Sequence, residues 1–247
     1  MFKILILIII LLIIPHYIIE KKLISLDKFS IKNNNFTVFD LPEYEIQQQL
    51  INNNIIPSIK EKVLNLLPPN YTFLDYSYEI KNSSLYTFHR DVTSSKKFQH
   101  LKHDSYTLII YFNKGNHLSI CPGSDKSTIL IPEPKTIYGD IGQSILFNCD
   151  LVHAAAITQT TKRYCKQYKI CHYNDIDRLK HLQNQHIKKK ENIRKLTIVD
   201  KYIRMMSHKY LPIFDIKSIG KYIERKQKSP IASYISKYLK LNFYNKT

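Results

Sequence analysis

Hydrophobic positions along this chain change their spacing three times. Ile4 to Ile14 is an unbroken apolar run of eleven residues, followed by Pro15, His16, Tyr17, Ile18 and Ile19. Such a run suits a signal-peptide core or, extended to Ile19, a short membrane anchor. No small-x-small cleavage site follows, so an uncleaved signal anchor over 1–19 is expected. Residues 20–40, with "KNNNFT", read as a linker. "LPEYEIQQQLINNN" and "PSIKEKVLNLLPP" then place apolar residues at helical spacing, each with a proline near its start, and Pro68-Pro69 ends the second. The region 20–70 is therefore a linker and two helices.

From Tyr71 the period drops to that of strands. "YTFLDYSYEI", "SLYTFHRD", "YTLIIYFN", "SILFN" and "RYCKQYKICHY" are short and rich in aromatic and β-branched residues. Gly115, Gly123, Gly139 and Gly142 fall between them, as turns require. This pattern predicts a sandwich or barrel over 71–173. After Asn174 the helical period returns, and three or four helices are expected over 174–247.

Charge alters the picture mainly at the end. The net charge is +17, and the stretch 174–247 holds 18 Lys/Arg against 6 Asp/Glu. A basic helical tail can meet an anionic partner such as nucleic acid or lipid, or can be a set of solvated helix faces. The four cysteines form no CxxC pair, which argues against a zinc knuckle. Sequons at Asn35, Asn70, Asn82 and Asn245 fit a glycosylated, lumenal or extracytoplasmic domain behind a membrane anchor.

His89-Arg90-Asp91 has two readings. A kinase catalytic loop needs Asn five residues after the Asp, where this chain has Lys96. It also lacks an upstream glycine-rich loop and a DFG motif. The second reading is a metal site. In a strand His89 and Asp91 point to one face. His153, after the strand-like "SILFN", supplies a third ligand, and two His with one carboxylate leave positions open on non-haem iron. Arg163, ten residues later, reads either as a planar fork for the far carboxylate of a chelating dicarboxylate or as a surface arginine beside Lys162 and Lys166. His100, His103 and His117 read as loop or substrate-side residues.

Together, His89-Arg90-Asp91, "YTLIIYFNKGNHLSICPGSD", "YGDIGQSILFNCDLVHAAA" and Arg163-Tyr164 resemble the Fe(II)/2-oxoglutarate-dependent dioxygenases, of the phytanoyl-CoA dioxygenase-like or prolyl/lysyl hydroxylase-like kinds. The resemblance implies an α+β protein with a double-stranded β-helix (jelly-roll) core, N-terminal helices packed on one sheet and a basic C-terminal helical extension. It implies that His89, Asp91 and His153 bind Fe(II), that Arg163 pairs with the 2-oxoglutarate C5 carboxylate, and that Tyr111 donates a second bond to it. The expected reaction consumes 2-oxoglutarate and O2 and hydroxylates a substrate, giving succinate and CO2. The substrate class, whether protein side chain, lipid or small metabolite, is left open. One departure stands out: many members carry Arg-x-Ser where this chain has Arg163-Tyr164-Cys165.

Two alternatives compete. A catalytically inactive, membrane-anchored interaction module would not need all four key residues. A nucleic-acid demethylase would carry a second Arg six residues after the first, where this chain has Lys169, so no specific nucleic acid is expected.

Overall fold

The computed structural model describes residues 21–22, 29–126 and 130–214. The expected anchor over 1–19, the tail beyond 214 and the Asn245 sequon lie outside these residues. Among the described residues no helix is long and apolar enough to cross a membrane.

In chain order the elements begin with β1 (Lys21–Lys22), α1 (Ile31–Asn34), β2 (Phe36–Asp40), α2 (Glu43–Ile51), α3 (Pro57–Leu64) and β3 (Tyr71–Lys81). A π-helical turn (Ser95–Gln99) leads to β4 (Tyr106–Tyr111), β5 (Gly115–Ile120), β6 (Lys135–Gly139), β7 (Gln143–Asn148), β8 (His153–Ala155) and β9 (Tyr164–His172). A 3-10 turn (Tyr173–Leu182), β10 (Gln185–Lys190) and α4 (Ile198–Phe214) follow. The described residues thus make a mixed α+β fold with two sheets, ordered β1-β6-β5-β8 and β10-β3-β9-β4-β7-β2.

Two-residue alternation explains how the layers pack. On β4, Leu108 and Ile110 join Ile56, Ile59, Val63 and Leu67 from the α3 region in one apolar cluster. Their neighbours Ile109 and Tyr111 point the other way, into a cluster with Leu118, Ile120, Ile137, Ile145 and Phe147 between the sheets. Because β4 is covered on both faces, all six of its residues are buried. α2 is held to the large sheet by polar groups as well. Lys166 Nζ donates to the carbonyls of Gln49, Leu50 and Asn52 at 2.8–2.9 Å, and Gln49 Nε2 donates to Tyr168 Oη at 2.7 Å. A cation on these late carbonyls satisfies acceptors that a helix end leaves open. Gly142 permits this docking. Its φ is +86°, and a Cβ there would meet Ile46 Cδ1 at 2.1 Å.

Two expectations are corrected. Residues 31–40 are not a linker: α1 is capped by Ser30, and β2 pairs antiparallel with β7 from Phe36↔Phe147 to Asp40↔Gln143. Fully buried Phe36 anchors that edge strand. The helical spacing after Asn174 also misleads. Residues 173–182 form a 3-10 turn, and 185–190 form β10, parallel to β3 in register Gln185↔Tyr76 to Lys190↔Lys81. The open edge of β3 supplies backbone partners that outweigh a local helical preference. Helix returns only at α4.

α4 packs back on the smaller sheet. Residues 85–89 run beside β8: Ala155 N donates to Leu85 O, and His89 and His153 exchange both backbone bonds. α4 closes the outer side of this segment. Arg204 Nη1 donates to Tyr86 O at 2.7 Å and Ala155 O at 2.8 Å, and Phe88 N donates to Ser207 Oγ at 2.7 Å.

Candidate metal centre

His89 and Asp91 sit at the end of the segment beside β8, and His153 opens β8 itself. The paired backbones set the two imidazoles side by side, ring centroids 4.4 Å apart. One ligand atom from each of His89, Asp91 and His153 lies within 4.8 Å of the others, a set that one ion can reach. They line a cleft that Arg163, Gln167, Ser83, Ser84 and Lys189 also line.

The hydrogen bonds prepare all three side chains for a metal. His89 Nδ1 lies 2.8 Å from Thr87 O, and His153 Nδ1 lies 2.9 Å from Leu151 O. A carbonyl only accepts, so each Nδ1 carries the proton and each ring presents an Nε2 lone pair. Burial lowers the pKa of His89 to about 3, with His153 beside it adding to the effect, and burial lowers that of His153 also. Both rings are therefore neutral at neutral pH, the state that binds metal.

Asp91 is held differently at its two oxygens. Oδ2 receives Lys169 Nζ at 2.7 Å and Thr107 Oγ1 at 2.6 Å, while Oδ1 faces His153 Nε2 at 4.0 Å. Burial alone would raise this carboxyl; Lys169 and the two histidines overcome it and hold Asp91 well below the usual carboxylate range. Lys169 also donates to Thr107 Oγ1 at 2.7 Å and is 1% exposed. With Oδ2 occupied by two donors, Oδ1 is the oxygen left to reach an ion.

Arg163 is buried at the start of β9, and its Nη2 donates to Tyr111 Oη at 3.0 Å. The five residues singled out in the sequence therefore gather here: three converge, Arg163 lines the same cleft, and Tyr111 bonds Arg163. Arg90 points elsewhere. It is buried, with Nη1 donating to Asp150 O. All four cysteines are buried free thiols. Asn35 is committed as well, its Nδ2 donating to Asp125 Oδ2 at 2.8 Å, which ties up the atom a glycan would need.

Three residues of the site escaped sequence reasoning. Lys169 and Thr107 had a usable signal: Arg163, Cys165, Gln167 and Lys169 alternate along β9, as Thr107, Ile109 and Tyr111 do along β4. His117, read as a loop or substrate-side residue, instead stacks inside on Tyr111 with centroids 3.9 Å apart. His103 is placed away from the cleft, stacked on His172 and paired with Asp175 at 2.9 Å.

No family model matches the sequence, and no curated protein matches it. The structure is similar to several solved non-haem iron oxygenases at low identity. The nickel complex of the non-haem monooxygenase ThoJ is 15% identical with a TM-score of 0.45, over 57% of this chain and 75% of that one. HygX from Streptomyces hygroscopicus, with nickel, 2-oxoglutarate and hygromycin B bound, is 13% identical with a TM-score of 0.42, over 58% and 84%. The iron and alpha-ketoglutarate-dependent endoperoxidase NvfI is 11% identical with a TM-score of 0.41, over 59% and 80%.

Proposed function

We propose that this chain is a non-haem iron oxygenase of the Fe(II)/2-oxoglutarate-dependent superfamily, built on a double-stranded β-helix, that hydroxylates a substrate and releases succinate and CO2. The observation that carries the reading is the convergence of His89, Asp91 and His153 in one cleft, with both imidazole tautomers and one carboxylate oxygen fixed by neighbours. The donor set fits the group: two neutral imidazoles and one carboxylate on one side leave the remaining positions of Fe(II) for 2-oxoglutarate and O2. Iron bound there would supply the oxidising chemistry for hydroxylation.

The chain's own residues hold and orient. Thr87 O and Leu151 O fix the two rings, and Lys169 and Thr107 fix the Asp91 carboxylate. Arg163, kept in place by Tyr111, offers a cation to the far carboxylate of 2-oxoglutarate at a site walled by Ile109 and Leu118. Burial of these groups excludes bulk water and strengthens each charge interaction.

Anaerobic titration of the purified protein with Fe(II) and 2-oxoglutarate tests the reading. A visible metal-to-ligand charge-transfer band is expected in the wild type and absent in His153→Ala. No band in the wild type sinks the oxygenase reading; an equal band in His153→Ala sinks the ligand set. We also propose, from the apolar run alone, that residues 1–19 are a membrane anchor, which resistance to carbonate extraction of the full chain would bear out.

A further inference from the structure

β5 contains a bulge. Asn116 pairs with Tyr138 and Leu118 with Ile137, so His117 has no partner across β6. A bulge sets two residues against one and re-aims a side chain. Here two consecutive residues reach the interior: Leu118 joins the cluster between the sheets, and His117 lies flat on Tyr111, a member of that cluster, at an interplanar angle of 9°.

The polar atoms of His117 are unevenly satisfied. Nε2 faces the carbonyl oxygen of Asp140 at 3.3 Å, so Nε2 carries the proton and Nδ1 presents a lone pair. Nδ1 is buried without a hydrogen-bond partner, and so is Nε of Arg163. Both side chains adjoin the same tyrosine, since Arg163 bonds its hydroxyl. Buried polar atoms are nearly always partnered, so two orphans around one ring point to a missing polar ligand. A carboxylate accepts from Arg163 Nε–H directly. It can accept from His117 only if Nδ1 is protonated.

We propose that His117 is a binding residue for the distal carboxylate of the dicarboxylate held by Arg163, and that Nδ1 takes a proton from solvent as that carboxylate binds. This rests on the oxygenase reading, in which the dicarboxylate is 2-oxoglutarate. It also supplies a donor where Cys165 replaces the hydroxyl residue many similar proteins carry. The titratable or charged groups around His117 are Arg163, Tyr111 and Asp140, whose carboxylate is paired with Lys114 at 2.7 Å; Cys165 adjoins Arg163. In the empty site burial lowers His117 to about 4, and Arg163 adds to that effect. A bound carboxylate offsets the guanidinium charge and accepts from the imidazolium, and both effects raise the pKa against the burial that lowers it.

Calorimetry on the full chain loaded with Ni(II) tests this, with 2-oxoglutarate titrated in two buffers of different ionisation enthalpy at about pH 6, above the pKa of the empty site. Uptake approaching one proton is expected, and affinity should weaken by up to about tenfold per unit rise in pH. His117→Phe keeps a ring on Tyr111 but should bind more weakly with no such uptake; His117→Gln serves if the Phe variant does not fold. Equal affinity and equal proton uptake in wild type and variant overturn the assignment and leave the oxygenase reading intact, as does wild-type binding without uptake. If wild-type protein loaded with Ni(II) does not bind 2-oxoglutarate, the oxygenase reading itself fails.

Discussion

Lys169 Nζ lies 2.7 Å from Asp91 Oδ2, and both groups are buried beneath the candidate metal centre. The ammonium neutralises the carboxylate when no ion is present. It also selects which carboxylate oxygen stays available.

Lys169→Met should therefore destabilise the metal-free protein strongly. Breaking a buried ion pair from one side costs about 3–5 kcal/mol, because the remaining charge is unpaired. Co(II) should recover much of the loss, since the ion supplies the missing positive charge. Urea denaturation with and without Co(II) measures both quantities. Equal losses in the two states would show that Lys169 does not act through Asp91.

Asp91→Ala should abolish binding of Fe(II), whereas Arg90→Lys should keep near-stoichiometric metal. The Arg90 change should lower the melting temperature, because Arg90 is buried and its guanidinium bonds Asp150 O. Metal content after dialysis, alongside thermal melting, separates the two roles.

Tyr111→Phe removes the hydroxyl that receives Arg163 Nη2 at 3.0 Å. A hydrogen bond to a charged group contributes about 1.5–3 kcal/mol, so affinity for 2-oxoglutarate should fall by roughly tenfold or more. Metal affinity should be unchanged. The charge-transfer band at graded 2-oxoglutarate reads the first, and metal content the second.

Ser207→Ala leaves the buried Phe88 N–H unpaired, at a cost of about 1–3 kcal/mol. Because Phe88 precedes a candidate ligand, metal affinity should drop too, although Ser207 lies 119 residues away in the chain and outside the cleft. Isothermal titration with Ni(II) checks this; unchanged affinity would mean that α4 does not position His89.

The metal-free protein should lose stability in weak acid. Burial lowers His89 to about 3 and His117 to about 4, and lowers His153 as well. Unfolded histidines take protons near 6.5, so unfolding takes up protons below that pH. The contribution is whole above about pH 6.5 and declines as pH falls toward 4 and 3. Asp91, depressed in the folded state, extends the loss to lower pH. Urea midpoints across this range should fall steadily, and less steeply in His117→Phe.

Much of the site was legible because strand alternation operates over short distances. His89 and Asp91 are two apart, so alternation set them on one face, although the expected strand is reduced to a single bridge between His89 and His153; Arg163 was reached from its spacing after His153 and the family resemblance. The same rule, carried along β9, reaches Lys169, which entered the sequence reading only as an argument against nucleic acid. His117 was beyond reach, since a bulge breaks alternation and leaves no local mark. β2 and β10 failed for another reason. "FTVFD" and "QHIKKK" carry weak signals of their own and become strands because β7 and β3 offer them unpaired edges. The helices Glu43–Ile51 and Pro57–Leu64 were plain from apolar spacing and proline placement.

The clasp made by Arg204 and Ser207 on the segment before His89 also sets an order of assembly. A ribosome emits all three candidate ligands by residue 153, yet the helix that fastens the first of them emerges some 50 residues later. Contacts of such separation form late and slowly. The nascent chain should therefore acquire tight metal binding only after α4 has left the exit tunnel, with the ligands already made and waiting.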